Sequence, residues 1–392
     1  MSATVPSVDS AAVRVALDVS AVPPRPVGAG VYTVELARRL AGRDDVRLDL
    51  VARVGDAARW ASIAPDTPVH AVVPGPRPAR LAWEQIEAPR LVRRIGTDVW
   101  HGPHYTMPLR ATTPAVVTVH DMTFFDHPEW HERAKVLYFR QMIRASARRA
   151  SALVCVSEHT ATRLREVLDP IAPVTVVHHG VDHARFRPPA ADGAGTDRDL
   201  ALLARHGITP PYVAFVGTLE PRKDVPTLVA AFARIARSHR GLRLALVGGD
   251  GWGVAEIREA IERSRVATRI VRTGYVPDPV VPALYRQAAA VAYPSREEGF
   301  GVPALEALAC GAPLVTTTGS ALEEVVDGAA LTVPPHDVDA LARALADVLD
   351  DPARAAHLRA AGPVRASAFT WEASVDAHVD VYRRVARADK AA

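Results

Sequence analysis

Short, nearly unbroken β-branched runs recur along this chain, separated by stretches with helical periodicity. The first set is VRVALDV (Val13–Val19), TDVWH (Thr97–His101), PAVVTVH (Pro114–His120), ALVCVS (Ala152–Ser157) and VTVVHHG (Val174–Gly180). A strand that is apolar on both sides of its pleat must be covered on both faces, as in a parallel sheet flanked by helices. A breaker-rich segment, RPPAADGAGTDRD (Arg187–Asp199), then interrupts the pattern. It restarts with YVAFVGT (Tyr212–Thr218), LRLALVGG (Leu242–Gly249), RIVRTGYV (Arg269–Val276), AVAYPS (Ala290–Ser295), APLVTT (Ala312–Thr317) and AALTVP (Ala329–Pro334). The expectation is an α/β protein of two doubly wound domains facing a central cleft, with ligands at the carboxyl ends of the strands. The boundaries read as 1–187 and 188–370. The amphipathic stretch from Trp371 to the C-terminus either caps the second domain or crosses back onto the first.

The 392 residues and 48% hydrophobic content suffice for two buried cores. A net charge of +3 is too small to argue for nucleic acid. Cys155 and Cys310 stand far apart in apolar surroundings, which suits buried thiols of a reducing compartment. No run of eighteen apolar residues occurs, and the N-terminal stretch lacks a basic segment followed by a long apolar one. A cytoplasmic protein is expected.

The chemistry concentrates in SREEGFGVPALEALACGAPLV (Ser295–Val315), where Glu298 and Glu306 bracket a Gly-Phe-Gly between a strand and a helix. Pro303 suits the first helical turn. Backbone N–H groups of Phe300, Gly301 and Val302 would be free to meet an anion, and Gly299 and Gly301 allow close approach. Carboxylates flanking an anion site call for hydroxyl donors, as in the diols of a nucleotide sugar; the spacing alone fits an ordinary acidic helix start equally well. GTLEPRKDVPTLVAAFARI (Gly217–Ile235) is a strand–loop–helix unit in which Asp224 would cap the helix and Arg222 and Lys223 would either face a diphosphate or form a solvated basic loop. In VGAGVYTVELARRL (Val27–Leu40), Gly28 and Gly30 either permit a close backbone approach to a ligand or form a plain βα turn, and His120, ending a strand in VTVHDMTFF (Val117–Phe125), either faces the cleft or packs as a satisfied core histidine.

Taken together, these segments resemble glycosyltransferase family 4, of the GT-B fold with two Rossmann-like domains. EEGFGVPALEALACGAPLV matches its Glu, seven residues, Glu signature, and GTLEPRKDVPTLVAAF its strand–Arg–Lys–helix segment. VVHHGVDHARFRP (Val176–Pro188) matches the interdomain stretch; VTVHD, DVWHGPHYTMP and VSEHTATRL match the first domain. The resemblance implies a retaining, metal-independent hexosyltransferase that uses a nucleotide diphosphate sugar as co-substrate and no cofactor. It implies an acceptor that is a glycan, a lipid-linked molecule or a small molecule, and a place in cell-envelope polysaccharide biosynthesis. It places Glu298 on the transferred sugar, Glu306 on the ribose, Arg222 and Lys223 on the diphosphate, and Gly299, Phe300, Gly301 and Val302 along the sugar. Gly217 and Thr218 would line the donor, Gly30 would meet donor or acceptor, His120 would lie beside the transferred sugar and Val276 beside the base. Thr218 stands where many members carry arginine, a charge that Arg222 would replace.

Rival readings are a nucleotide-sugar epimerase or phosphorylase of the same fold, and a non-catalytic nucleotide-sugar binder. Asp197-Arg-Asp199 and Asp337-Val-Asp339 read as helix caps rather than metal ligands, and His101/His104 and His127/His131 lack an accompanying ligand set. No metal site is expected. Arg133, Arg140, Arg144 and Arg148 recur on one helical stripe. Two readings stay open for it: a solvated face, or a peripheral contact with the anionic inner membrane face.

Overall fold

The structure is a computed structural model describing residues 12–190 and 192–391. The reading of the first eleven residues lies outside them. The chain forms two compact units. The first holds residues up to Val156, Thr160–Val177 and the chain from Trp371 on; the second holds Ser157–His159 and His178–Thr370.

The first unit is a seven-stranded parallel sheet of β1 (Val13–Asp18), β2 (Val46–Arg53), β3 (Val69–Val73), β4 (Val99–Gly102), β5 (Ala115–Val119), β6 (Ala152–Cys155) and β7 (Val174–Val176), in the order β3-β2-β1-β4-β5-β6-β7. β4, β5 and β6 are buried along their whole length, as their largely apolar runs require. Strands β2 and β3 are additions to the sequence reading. They carry Arg47, Asp49 and His70 among their apolar residues because they lie toward one sheet edge, and His70 Nε2 meets Asp49 Oδ1 at 2.6 Å across them.

The second unit is a six-stranded parallel sheet of β8 (Tyr212–Val216), β9 (Arg243–Val247), β10 (Ile270–Gly274), β11 (Ala290–Tyr293), β12 (Leu314–Thr317) and β13 (Leu331–Val333), ordered β10-β9-β8-β11-β12-β13. Each sheet has one place where successive crossovers leave in opposite directions: between β1 and β4, and between β8 and β11. Ligands in open α/β sheets sit beyond the strand ends at such a switch point.

Two boundaries differ from the sequence reading. Residues 178–187 belong to the second unit, where Val181 N donates to Phe369 O at 3.2 Å and the buried Phe186 ring lies 6.5 Å from Tyr285. The breaker-rich segment ends earlier than expected, in a helix over Thr196–Ala204. Asp199 caps nothing there; it forms a two-point ion pair with Arg286, both contacts 2.7 Å. Asp337 does cap its helix, accepting from Ala340 N at 2.8 Å.

The final helix, Trp371–Ala391, packs on the first unit. Trp371, Val375, Val379, Tyr382 and Val385 join a core with Val15 and Leu17 of β1 and with Leu36 and Leu40 of the Ala29–Ala41 helix. Burying each such side chain contributes about 1.5–3 kcal/mol.

Candidate functional site

At the β8/β11 switch point two loops converge. The first leaves β8 through Gly217 and Thr218 and forms a short 3-10 turn over Pro221–Lys223 before the Val225–Ile235 helix. The second leaves β11 at Ser295 and runs to the Val302–Ala309 helix. They are stitched together: Arg296 N donates to Arg222 O at 2.8 Å, and Ser295 Oγ to the same carbonyl at 3.2 Å.

Glu298 is buried at the centre. Its carboxylate meets Arg222 Nη1 at 2.8 Å, the Tyr293 hydroxyl at 2.8 Å and the Lys223 ammonium. Lys223 Nζ also donates to the Tyr293 hydroxyl and lies 4.8 Å from that ring's centre. Burial alone would push the Glu298 carboxyl up, but the Arg222 and Lys223 charges outweigh it and hold the group well below the usual carboxylate range. Burial and the adjacent Arg222 depress the Lys223 ammonium, against the pull of Glu298. Burial also opposes the Arg222 charge, and the Glu298 and Glu220 carboxylates more than restore it.

These carboxylates orient the cations without using all their donors. Arg222 gives Nε to Glu220 at 2.7 Å and Nη1 to Glu298, which leaves Nη2 without a protein acceptor among the described residues. An ammonium has three protons, and Lys223 places two. Nearby, the N–H groups of Phe300, Gly301 and Val302 also donate to no protein acceptor among the described residues. Gly301 has φ +96°, and a Cβ there would lie 2.5 Å from Leu322 Cδ2, so this turn demands glycine. Cations with spare donors beside open N–H groups form a receptor for an anion with several oxygens.

The remaining expected residues take varied places. Glu306 lies on the Val302–Ala309 helix, where burial pushes its carboxyl up to about 8 against the Arg185 charge. Phe300 is buried, its ring 4.8 Å from His179 and 5.8 Å from Phe369. Thr218 is partly exposed, and Val276 is buried just after β10. Asp224 departs from expectation: it stands at the helix start with φ 49° and makes no side-chain cap. Its carboxylate lies 2.9 Å from His336 and 3.4 Å from Arg296 instead. Sequence reading missed Tyr293 and Glu220. Tyr293 ends β11 just before the Ser295–Val315 stretch, and Glu220 lies within the Gly217–Ile235 unit, one residue before Pro221.

Gly30 and His120 belong to the first unit. Gly30 opens the Ala29–Ala41 helix; a Cβ there would sit 3.2 Å from Pro26 Cβ. His120 is buried directly after β5 and donates Nε2–H to the Pro103 carbonyl at 2.7 Å. On the Arg133–Arg149 helix, Arg140 donates to the Phe124 and Phe125 carbonyls at 2.7 and 3.3 Å, and Arg144 lies 5.1 Å from the Phe125 ring. Half of that basic stripe is thus engaged within its own unit. Among the described residues no helix is long and apolar enough to cross a membrane.

The sequence matches the family described as Glycosyltransferase Family 4 over residues 26–185 and that described as Glycosyl transferases group 1 over residues 204–365. It is 30% identical over 307 residues to the O-antigen chain mannosyltransferase B of Escherichia coli, covering 78% of this chain and 77% of that protein. The chain belongs to glycosyltransferase family 4. This glycosyltransferase is also 30% identical over 399 residues to a D-inositol 3-phosphate glycosyltransferase of Kribbella flavida, covering 91% and 90% of the two chains. Its fold is GT-B: the crystal structure of Anabaena Alr3699/HepE in complex with UDP and glucose superposes with a TM-score of 0.77 at 20% identity, over 95% of this chain and all of that one.

Proposed function

We propose that this family 4 glycosyltransferase moves a hexose from a nucleotide diphosphate sugar to an acceptor hydroxyl with retention of configuration and without a catalytic metal. The observation that carries the reading is the pairing of Arg222 and Lys223 on Glu298, with donors left over beside the open N–H groups of the Gly-Phe-Gly loop. The complex of HepE with UDP and glucose, on the same fold, supports a nucleotide-sugar donor.

In this reading the bond between the anomeric carbon and the diphosphate oxygen breaks while the acceptor oxygen attacks from the same face. The acceptor proton passes to the departing phosphate. Arg222, Lys223 and the helix start stabilise the charge that builds on the diphosphate, and they are already oriented for it by Glu298, Glu220 and Tyr293. Glu298 holds the cations as well as facing the sugar, and Glu306 takes ribose hydroxyls.

The experiment is release of free nucleoside diphosphate from UDP-glucose and GDP-mannose in EDTA. Lys223→Ala should lower kcat by about 10²–10³, the usual loss for one transition-state donor. An effect on KM alone, or turnover abolished by EDTA and restored by magnesium, would overturn the assignment.

A further inference from the structure

The 3-10 turn that carries Arg222 and Lys223 ends on Asp224, whose backbone is left-handed at φ 49° and ψ 40°. This conformation lets the chain leave the turn and enter the Val225–Ile235 helix at once. Residues other than glycine adopt it rarely, and Asn and Asp most readily, because a short polar side chain can bond locally there. Asp224 makes no such local bond, since its side chain caps nothing. It is nonetheless only 1% exposed. A carboxylate withdrawn from water needs compensation, so its partners account for the position.

Both partners come from other loops. Arg296 Nη2 lies 3.4 Å from Asp224 Oδ1, and His336 Nδ1 lies 2.9 Å from Oδ2. Arg296 stands in the loop after β11, and its backbone N–H already donates to Arg222 O at 2.8 Å. That loop therefore grips the turn twice, by backbone at Arg222 and by charge at Asp224. His336 belongs to the loop between β13 and the Val338–Asp350 helix, and it too is left-handed, at φ 64°. Helix pairing keeps this second loop in register. The Val225–Ile235 and Val338–Asp350 helices pack on each other, Arg234 pairs with Asp339, and His239 Nε2 meets Asp350 Oδ1 at 2.9 Å.

Neighbouring side chains of the turn thus have separate partners. Lys223 contacts Glu298 and Tyr293, and Asp224 contacts Arg296 and His336. The separation matters for the receptor. A free carboxylate one residue from the ammonium would compete with a diphosphate for its charge. Among the described residues Arg296 has no other carboxylate partner, so its charge is committed to Asp224.

We infer that Asp224 is a positioning residue for the transfer reaction. With its carboxylate held apart from Lys223 by Arg296 and His336, it fixes the turn that aims the Lys223 ammonium at the leaving diphosphate. The loop after β13 contributes no group to the diphosphate receptor itself, yet through His336 it helps to set the receptor's geometry. The inference concerns how the cations are held and so rests on the transferase reading.

The test is a set of double variants with Lys223→Ala, read by release of nucleoside diphosphate from UDP-glucose and GDP-mannose. Asp224→Asn keeps a residue suited to the left-handed backbone and removes the charge; kcat should fall about tenfold while KM for the donor holds. His336→Asn, made for the same reason, should lower kcat by a smaller factor. His336 is half exposed, so its variant keeps the test sound should Asp224→Asn fail to fold. In the Lys223→Ala background neither substitution should cost anything further, because both act through that ammonium; independent effects would multiply. Free UDP and GDP carry the charge that builds up as the bond breaks, so calorimetry should show weaker binding in the same non-multiplying pattern without any turnover. Wild-type kcat in both variants, a loss confined to KM, or losses that multiply with that of Lys223→Ala would overturn the inference. Lys223→Ala with wild-type kcat, or a wild type that neither turns over nor binds any of these nucleotides, would instead count against the transferase reading.

Discussion

The Tyr32 hydroxyl stands 2.7 Å from His378 Nε2, although 346 residues separate the two. Their bond is one link in a buried chain whose direction is forced. The Ser374 carbonyl only accepts, so His378 Nδ1 is the protonated nitrogen, at 2.7 Å, and Nε2 of the neutral ring accepts from Tyr32. Thr118 then donates to Tyr32 at 2.9 Å and accepts from His101 Nε2–H at 2.8 Å, and His101 Nδ1 accepts from Tyr382 at 2.7 Å. Two residues of the last helix thereby close on β4, β5 and the Ala29–Ala41 helix.

Tyr32→Phe keeps the ring edge that lies 5.1 Å from His120 but removes the hydroxyl. It leaves buried His378 Nε2 without its donor, at a cost of about 1–3 kcal/mol. Hydrogen exchange should show faster opening of the Trp371–Ala391 helix amides, with the second unit unchanged.

Burial depresses His378 to about 4 and His101 well below its ordinary value, so both stay neutral when folded while the unfolded chain protonates near 6.5. Stability from His378 is therefore present above pH 6.5 and lost as pH falls from there toward 4, by about 1.4 kcal/mol per pH unit for one proton. His378→Gln should flatten the acid side of the Tm-versus-pH curve of the first unit. An unchanged slope would contradict the neutral-ring direction of the chain.

Glu306 carries the opposite sign. Its folded pKa, raised to about 8 by burial, lies above that of the unfolded chain, so its contribution is full below about pH 4.5 and is lost as pH rises toward 8. Glu306→Gln should raise the Tm of the second unit relative to wild type more at pH 8 than at pH 5. The same variant should bind nucleoside diphosphate more weakly if the ribose assignment holds.

Tyr293→Phe removes the group that donates to Glu298 and accepts from Lys223. Hydrogen bonds to charged partners are worth about 1.5–3 kcal/mol, which corresponds to roughly ten- to hundredfold in rate if the loss falls on the oriented cations. Steady-state kinetics should show the decrease in kcat.

Gly301→Ala places a Cβ against Leu322 in a backbone conformation with φ +96°. The strain is on the order of 1–3 kcal/mol. Thermal unfolding of the second unit should fall, and calorimetry should show weaker nucleoside diphosphate binding because the loop N–H groups shift.

Much of this protein was legible in one dimension. Largely apolar runs identified β4, β5 and β6 of the first sheet and β8, β9, β11 and β12 of the second, because burial on both faces leaves little other composition. The Glu298–Glu306 stretch and the Arg222-Lys223 loop could be placed because each spans one strand end and one helix start, and local signals govern those. β2 and β3 escaped because Arg47, Asp49 and His70 interrupt their apolar character near a sheet edge. Tertiary structure alone decided the rest. Only the order of the strands brings Asp18, Arg77, Arg80, Glu84, His104 and Phe139 around one cavity, and only packing carries Tyr382 and His378 back to His101 and Tyr32. Sequence periodicity records whether a side chain faces a core, but it carries no information on which distant segment completes that core or where polar groups buried within it find their partners.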